Sequence, residues 1–230
     1  SRANLLELAS SDQVPTLDKI CLLQDTPLLV RAGYISSAEL LPLARAFGDE
    51  QNEKVYSMAI AALNELRKFT DNDPDLKKSL KLISREIAKP TYELLGWDEV
   101  DGESNDERER RSIALSLTLY GEDPEAIAEA KRRFDDGPES ISPEIRSIVL
   151  SSVVRHHESP NMIERLISLY SSTSSNDLKL DITLGLTATK SPETISRILG
   201  MMKNSKIVRP QDTSRWFIYL IRNSDARSMA

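Results

Sequence analysis

The sequence is poor in the residues that cross-link proteins or hold metal ions. It contains one cysteine, Cys21, and two histidines, the adjacent His156 and His157. A single thiol forms no internal disulfide, which favours a reducing compartment and a cytoplasmic location. Neighbouring positions on a helix point about 100° apart, so the two imidazoles are unsuited to share one ion. We therefore predict no metal site and interpret the histidines as the basic end of a helix.

Glycine and aromatic residues are also scarce, and this disfavours a β-sandwich or a barrel. The 230 residues include 8 glycines and 5% aromatics, whereas all-β folds need turn glycines and β-forming side chains. No apolar run reaches the roughly 18 residues of a membrane span, so we expect no transmembrane helix. The net charge is −6, and a surface of that sign argues against nucleic acid as a partner.

Signatures of catalysis do not occur in the sequence. It has no His-Glu-x-x-His pattern of zinc peptidases, no Gly-x-Ser-x-Gly, no Cys-x-x-Cys and no glycine-rich phosphate loop. Cys21 lies between Ile20 and Leu22, a context typical of a buried structural thiol rather than of a nucleophile. We predict that this chain has no catalytic, cofactor-binding or metal-binding residue and is not an enzyme by itself.

The sequence is instead rich in signals that begin helices. Serine or aspartate accepts a bond from an orphan backbone N–H, and proline at the first helical position loses no hydrogen bond. Ser36 with Glu39 and Ser104 with Glu107 have the spacing of capping boxes. The Ser-Pro and Asp-Pro pairs are Asp73-Pro74, Asp123-Pro124, Ser142-Pro143, Ser159-Pro160 and Ser191-Pro192.

Apolar residues recur at three and four positions behind these signals, which predicts an all-α fold. The helix starts from residue 104 onward are spaced so that two helices repeat every 32 to 38 residues. That period is typical of a HEAT-like α-solenoid, a superhelix here of about 11–12 antiparallel helices. Pro27, Pro42 and Pro90 should kink or split the helices that contain them. The predicted helices are 3–10, 17–32, 37–47, 53–70, 74–95, 105–120, 124–135, 143–156, 160–172, 177–188, 192–204 and 210–222.

A polar stretch without periodicity, 98–104, marks a hinge or long loop. We interpret residues 1–230 as a single domain with an N-terminal lobe over about 1–97 and a repeat lobe over about 104–230. The last helix is apolar around most of its circumference, with Trp216 and Phe217 among its large side chains. A surface helix would show one apolar stripe, so we expect this end to need further cover.

Short segments spread over the whole chain form a further pattern. The most specific is Leu95-Gly96-Trp97, followed by Gly102-Glu103-Ser104 and then by Arg111. In their order and spacing these segments resemble the C-terminal helical domain of the aminopeptidase N-type (gluzincin) zinc metallopeptidases. The other segments are 17–25 with 28–33, 53–66 with Tyr56 as its aromatic residue, 141–146, 166–170 with Lys179 and 184–186, and 207–212 with Asn223 and Arg227.

The resemblance implies a role without chemistry of its own. Zinc and its ligands would lie in an upstream domain of the parent zinc aminopeptidase, and this domain would cap the active-site chamber. It would limit or position peptide substrates whose N-terminal residues the zinc domain removes. Its partners would be the upstream catalytic and β-sandwich domains of the same chain and the peptides themselves. Candidates for steering a peptide carboxylate on the concave wall are Arg146, Arg155 and Arg215.

An alternative is a free-standing HEAT-like scaffold for protein–protein interactions. That hypothesis predicts a natural chain of about this length with a capping helix at each end. The sequence begins with Ser1 rather than methionine and ends soon after a strongly apolar helix, which favours a domain of a longer protein. A His-Glu-x-x-His motif upstream in the full-length gene would decide between the two.

Overall fold

The computed structural model describes residues 11, 13–67, 70 and 73–229. Over these residues the chain forms eleven α-helices and no β-strand, so the predicted all-α class is confirmed. The predicted helix at 3–10 lies outside the described residues. The helices are α1 (Thr16–Arg31), α2 (Leu40–Ala46), α3 (Glu53–Arg67), α4 (Pro74–Leu95), α5 (Asn105–Tyr120), α6 (Pro124–Asp136), α7 (Pro143–His157), α8 (Pro160–Ser172), α9 (Asn176–Thr187), α10 (Pro192–Met202) and α11 (Pro210–Arg222).

Side-chain caps begin several of these helices, as the Ser-Pro and Asp-Pro pairs predicted. Ser104 and Glu107 form a capping box at the start of α5, each side chain bonded to the other's backbone N–H. Ser142 differs, because its hydroxyl donates to the Glu144 carboxylate and makes no backbone cap. First-turn backbone N–H groups of α4, α8 and α10 bond to the side chains of Asp73, Ser159 and Ser191, respectively.

The three interior prolines have different effects. Helix α1 continues through Pro27 and α4 continues through Pro90, so neither helix is split. Pro42 lies in the first turn of α2, where a missing N–H leaves no helical bond unmade. A 3-10 turn, Ser37–Glu39, capped by Ser36, precedes α2, so the helix predicted at 37–47 consists of two pieces.

The chain divides into two compact units, residues 1–123 and 124–230. In the first unit α3 packs against α1, α2 and α5, and α4 packs along α5. The core there is formed by side chains with almost no solvent exposure. They include Leu23, Leu40, Leu43, Phe47, Val55, Tyr56, Leu63, Ala88 and Leu115. Helix α5, which the sequence assigned to the repeat lobe, thus makes its principal contacts with α3 and α4. The single-domain assignment stays a prediction.

In the second unit, alternate helices pack against each other. Helix α7 contacts α6 and α9, and α9 also contacts α8, α10 and α11. Trp216 of α11 is buried and meets the ring of Tyr170 edge-on, with 5.4 Å between ring centroids. Trp216 is therefore a packing residue of the second unit. His156 and His157 lie in the last turn of α7, at its basic end, as interpreted from the sequence.

The prediction that Cys21 is buried is wrong. Cys21 is exposed on α1, although Leu23, two positions later, is 2% exposed. Helix α1 turns the side that carries Leu23 and Lys19 toward α3 and the preceding loop. Since α1 is apolar on more than one side, its sequence did not reveal which side would be covered.

The loop between α4 and α5 contains a buried ion pair. Arg111 and Glu103 form two parallel hydrogen bonds, one of them 2.7 Å from Nη1 to Oε2, and both side chains are 3% exposed. The Arg111 Nε also donates to the Leu95 carbonyl at 3.1 Å. Gly96 (φ 59°) and Gly102 (φ 85°) take the left-handed backbone that the loop needs. The Leu-Gly-Trp, Gly-Glu-Ser and Arg segments therefore have a structural role: Arg111 bonds to both Leu95 and Glu103 and so fixes the loop, an arrangement we call the buried clamp.

Over the part of the chain that the structure describes, none of the helices combines the length and the apolar character of a membrane span. No group of three or more His, Cys, Asp or Glu side chains among those residues is placed to hold a metal ion.

Candidate functional site

A groove of about 520 Å³ opens in the second unit where α7 ends and where α8 and α10 begin. Its lining is strongly charged, and basic groups outnumber acidic ones. The basic side chains are Arg155, His156, Lys190 and Arg197, and the acidic ones are Glu158 and Glu193.

Two helix N-termini border this groove because two Ser-Pro pairs occupy equivalent places in successive helical hairpins. Ser159 accepts from the backbone N–H of Met162, and Ser191 accepts from that of Thr194, both at 3.3 Å. Both serines belong to the groove lining. The N-terminal end of a helix carries a partial positive charge. The two helix N-termini therefore add partial positive charge at the border of the groove.

Glu158 joins the α7–α8 loop to the loop that follows α9. Its carboxylate accepts hydrogen bonds from the hydroxyls of Thr189 (2.5 Å) and Thr194 (2.6 Å). Thr189 is fully buried and Thr194 is 8% exposed, so these bonds lie largely away from water. A carboxylate with two close donors is a fixed wall of the groove.

The segment after α11 holds the same loop from another side. The Asn223 side chain donates to the carbonyls of Thr187 (2.9 Å) and Thr189 (2.7 Å). Arg155 donates to Asp225 at 2.8 Å and to the Ala188 carbonyl at 3.4 Å. Its side chain remains 30% exposed. Arg155 is thus positioned by its neighbours, and it lines the groove.

Arg197 is held at the rim of the groove by Glu164. Two hydrogen bonds, of 2.5 and 2.8 Å, join the guanidinium to the carboxylate. The hydrogen bond from Arg197 lowers the pKa of Glu164, while burial acts in the opposite direction. Both side chains are exposed, so the pair orients Arg197 without removing it from solvent.

The three arginines predicted from the sequence have different environments. Arg155 lines the groove, and Arg215 is exposed on α11. Arg146 is 8% exposed, and its guanidinium donates to the Ile141 carbonyl at 2.8 Å and to Asp181 at 3.2 Å. Burial raises the pKa of Asp181, while the charge and hydrogen bond of Arg146 act in the opposite direction. The geometry of Arg146 is that of a structural tie between α7 and α9.

Sequence reasoning missed the other charged residues of the groove. Glu158 directly precedes Ser159-Pro160, and Lys190 directly precedes Ser191-Pro192. Because successive hairpins repeat, the positions just before equivalent N-caps come to lie side by side. A search for charge at those two positions would have located the groove.

Comparison with known proteins gives a family for the chain. The model of the family described as ERAP1-like C-terminal domain matches residues 1–230. Aminopeptidase N of Lactobacillus helveticus is 30% identical over 219 residues, which are 94% of this chain and 26% of that protein. Aminopeptidase N of Lactococcus lactis subsp. cremoris is 30% identical over 226 residues, 97% of this chain and 27% of that protein. Glutamyl aminopeptidase of Bos taurus is 24% identical over 216 residues, 93% of this chain and 22% of that protein.

The chain spans about a quarter of the length of these curated relatives. The matched region includes the buried clamp around Arg111 and the groove beside Arg155, since the family covers every residue. The resemblance to the C-terminal domain of aminopeptidase N-type enzymes is therefore confirmed, and this chain belongs to the ERAP1-like C-terminal domain family.

Proposed function

We propose that this chain is the C-terminal, non-catalytic domain of a zinc aminopeptidase and that it caps the chamber in which peptides are shortened. The observation that carries the proposal is the family match over residues 1–230 together with relatives named aminopeptidase N. The described residues contain no cluster suited to zinc. We assign the metal to the part of the polypeptide that precedes this chain, where it would activate the hydrolytic water.

The stacked helices would form a wall of the chamber in which peptides are shortened. The contacts between alternate helices α7, α9 and α11 are those of stacked helical pairs, which supports a HEAT-like solenoid. Such a stack offers an extended surface to a peptide. Contacts with the distal part of a peptide supply positioning and binding, whereas the chemical step depends on the metal site.

Within this wall, the groove beside Arg155 is the best candidate for contact with a peptide carboxylate. Arg155 and Arg197 are both oriented by acidic partners and partly exposed. The start of α10 adds backbone dipole charge of the same sign. An anionic group of a peptide in this groove would meet the donors of Arg155 and Arg197 that their carboxylate partners leave partly exposed. Arg215 remains a second candidate because it is exposed on α11.

The test compares three substrates on the full-length polypeptide carrying Arg155→Gln or Arg197→Gln. They are a peptide with a free C-terminal carboxylate, the same peptide amidated, and a reporter of one amino acid and a chromophore. We expect KM for the free peptide to rise about tenfold, equivalent to about 1.4 kcal/mol. The amidated peptide and the reporter should change little. Equal losses on all three substrates would contradict the proposed wall contact.

A matched control is Arg132→Gln. Arg132 is an exposed arginine of α6 that pairs with Glu129 and Asp136 and is not part of the groove lining. It should leave all three KM values unchanged. Zinc chelation should abolish activity of the full-length polypeptide, and the 230-residue chain alone should show none. Activity that resists chelation would contradict the zinc assignment. Absence of peptidase activity from both the full-length polypeptide and the 230-residue chain would favour the scaffold hypothesis.

A further inference from the structure

Helix α1 has a second apolar side that the first unit does not cover. Its inner side packs through Leu23, Ile20 and Val30 against the core around α3. On the outer side, Leu17 is 69% exposed and Leu28 is 57% exposed, and Cys21 is exposed between them. A surface helix normally shows one apolar stripe, so the outer side needs a separate explanation.

These outer residues lie along one line of the helix, with the exposed Gln24 between Cys21 and Leu28. Positions 17, 21 and 28 are four and then seven residues apart, so at about 100° per residue they lie within about 40° of one another. The line extends over about 16 Å of the helix at 1.5 Å per residue. Leu29, which is 42% exposed, lies about 100° from Leu28 and outside this line. We call Leu17, Cys21 and Leu28 the outer stripe.

Ion pairs near both ends of α1 hold the helix with the outer stripe facing away from the core. Lys19 pairs with Glu50 at 2.8 Å, and these side chains are 6% and 13% exposed. Arg31 pairs with Glu65 of α3, also at 2.8 Å. Helix α1 is thus fixed at both ends by contacts with its own unit. Rotation of the helix to bury the stripe would break both pairs.

We infer that the outer stripe is the docking surface for the domain that precedes this chain in the longer polypeptide. The inference rests on one part of the proposed function, namely that the chain is a C-terminal domain. Relatives that match almost the whole chain are about four times as long, so a large part of each lies outside the match. Among the described helices, α1 is the nearest in sequence to that preceding part. Exposed apolar stripes of this kind are typical of interfaces.

The chemistry of the stripe defines its partner. The occupant should present an apolar patch about three helical turns long. Asp18 and Asp25 are exposed along one edge of the stripe, about 60° to 100° from Leu17 and Leu28. The partner patch should therefore have lysine or arginine on the matching edge, because like charges there would be unfavourable.

Cys21 is a natural probe for this contact. Its modification by a thiol reagent is measured in the 230-residue chain and in the full polypeptide, by mass spectrometry of the peptide that contains Cys21. We expect the rate to fall by about tenfold or more in the full polypeptide, as for a site exposed only by local opening. The control is Lys78→Cys in a Cys21→Ser background, an exposed position on α4, whose rate should stay the same in both proteins.

Two results would overturn the inference. One is an equal modification rate of Cys21 in the two proteins. The other is protection in the 230-residue chain that increases with its concentration, because the occupant would then be a second copy. Leu28→Asp gives an independent measurement: it should leave the melting temperature of the 230-residue chain unchanged and lower that of the full polypeptide. Neither measurement uses peptidase activity, so an inactive polypeptide that protects Cys21 would refute only the proposed function.

Discussion

At the scale of single residues, Gly185 determines how closely α9 approaches α7. A Cβ added to Gly185 would lie 2.7 Å from the Leu150 Cβ and 3.3 Å from its backbone carbon. Backbone atoms of a packed helix cannot move aside easily. We expect Gly185→Ala to lower the free energy of unfolding by about 1–3 kcal/mol, as overpacked cores do. Urea unfolding followed by circular dichroism measures the change.

The control for this prediction is Gly200→Ala in α10. Gly200 has no atom within 4 Å of the added Cβ and lies in a helix, so alanine should stabilise the protein by about 0.5–1 kcal/mol. Opposite signs for the two variants would identify the close helix contact as the cause. A Gly185→Ala protein as stable as the unmodified chain would contradict the predicted clash.

Glu103 gives the second prediction at this scale. Glu103→Gln would leave Arg111 buried without its counter-charge, and the expected loss of stability is about 3–5 kcal/mol. Glu164→Gln removes a carboxylate from the exposed pair with Arg197, which has the same two-bond geometry. Because water can solvate Arg197, the unfolding midpoint of the Glu164→Gln protein should hardly change. Equal effects of the two substitutions would show that burial is not what makes the Arg111 pair important.

At the scale of elements, the attachment of α1 should depend on pH through Glu50. Burial pushes the pKa of Glu50 upward, but hydrogen bonds from Lys19 and from two backbone N–H groups, with the charge of Lys19, outweigh it. The net pKa lies below the ordinary value. The resulting stability is present above the unfolded-state pKa of about 4.3 and is lost as pH falls through the lower, folded-state pKa.

The measurement compares the unmodified chain with Glu50→Gln in urea unfolding between pH 7 and pH 3. The stability difference between them should be largest at pH 7 and shrink as pH falls below about 4.3, because Glu50 is then protonated first in the unfolded state and, at lower pH, in the folded state as well. Glu86→Gln is the control, since Glu86 pairs with Arg45 at an exposed site. A Glu50→Gln difference that stays constant down to pH 3 would contradict this interpretation.

Helix boundaries were predictable because the signals that set them are local. The starts of α4, α8 and α10 depend on a capping residue and on the proline beside it. The side of α1 that is buried was not predictable, because that helix is apolar on two sides and α3 selects one of them. The distinction between Arg146 and Arg155 was not predictable either. Arg146 pairs with Asp181, and Arg155 pairs with Asp225. Each aspartate is far from its arginine in sequence.

At the scale of the whole molecule, the exposed side of α11 should make the isolated chain self-associate. Trp216 and Leu220 are buried, but Phe217, Ile218 and Ile221 are 40%, 46% and 38% exposed on the other side. Full burial of such a side chain contributes roughly 1.5–3 kcal/mol, so pairing two of these surfaces is favourable. We expect sedimentation velocity to show a dimer whose fraction increases with protein concentration. Ile218→Lys should shift the equilibrium toward monomer.

The location of this contact is tested by a variant at the other apolar surface. Leu28→Asp changes the outer stripe of α1, which is 57% exposed at that residue, and should leave the self-association unchanged. The reactivity of Cys21 should likewise not depend on protein concentration, because α11 and not α1 forms the contact. If Leu28→Asp abolishes the dimer while Ile218→Lys does not, then α1 is the self-associating surface and α11 is sufficiently covered by the segment 223–229 that packs after it.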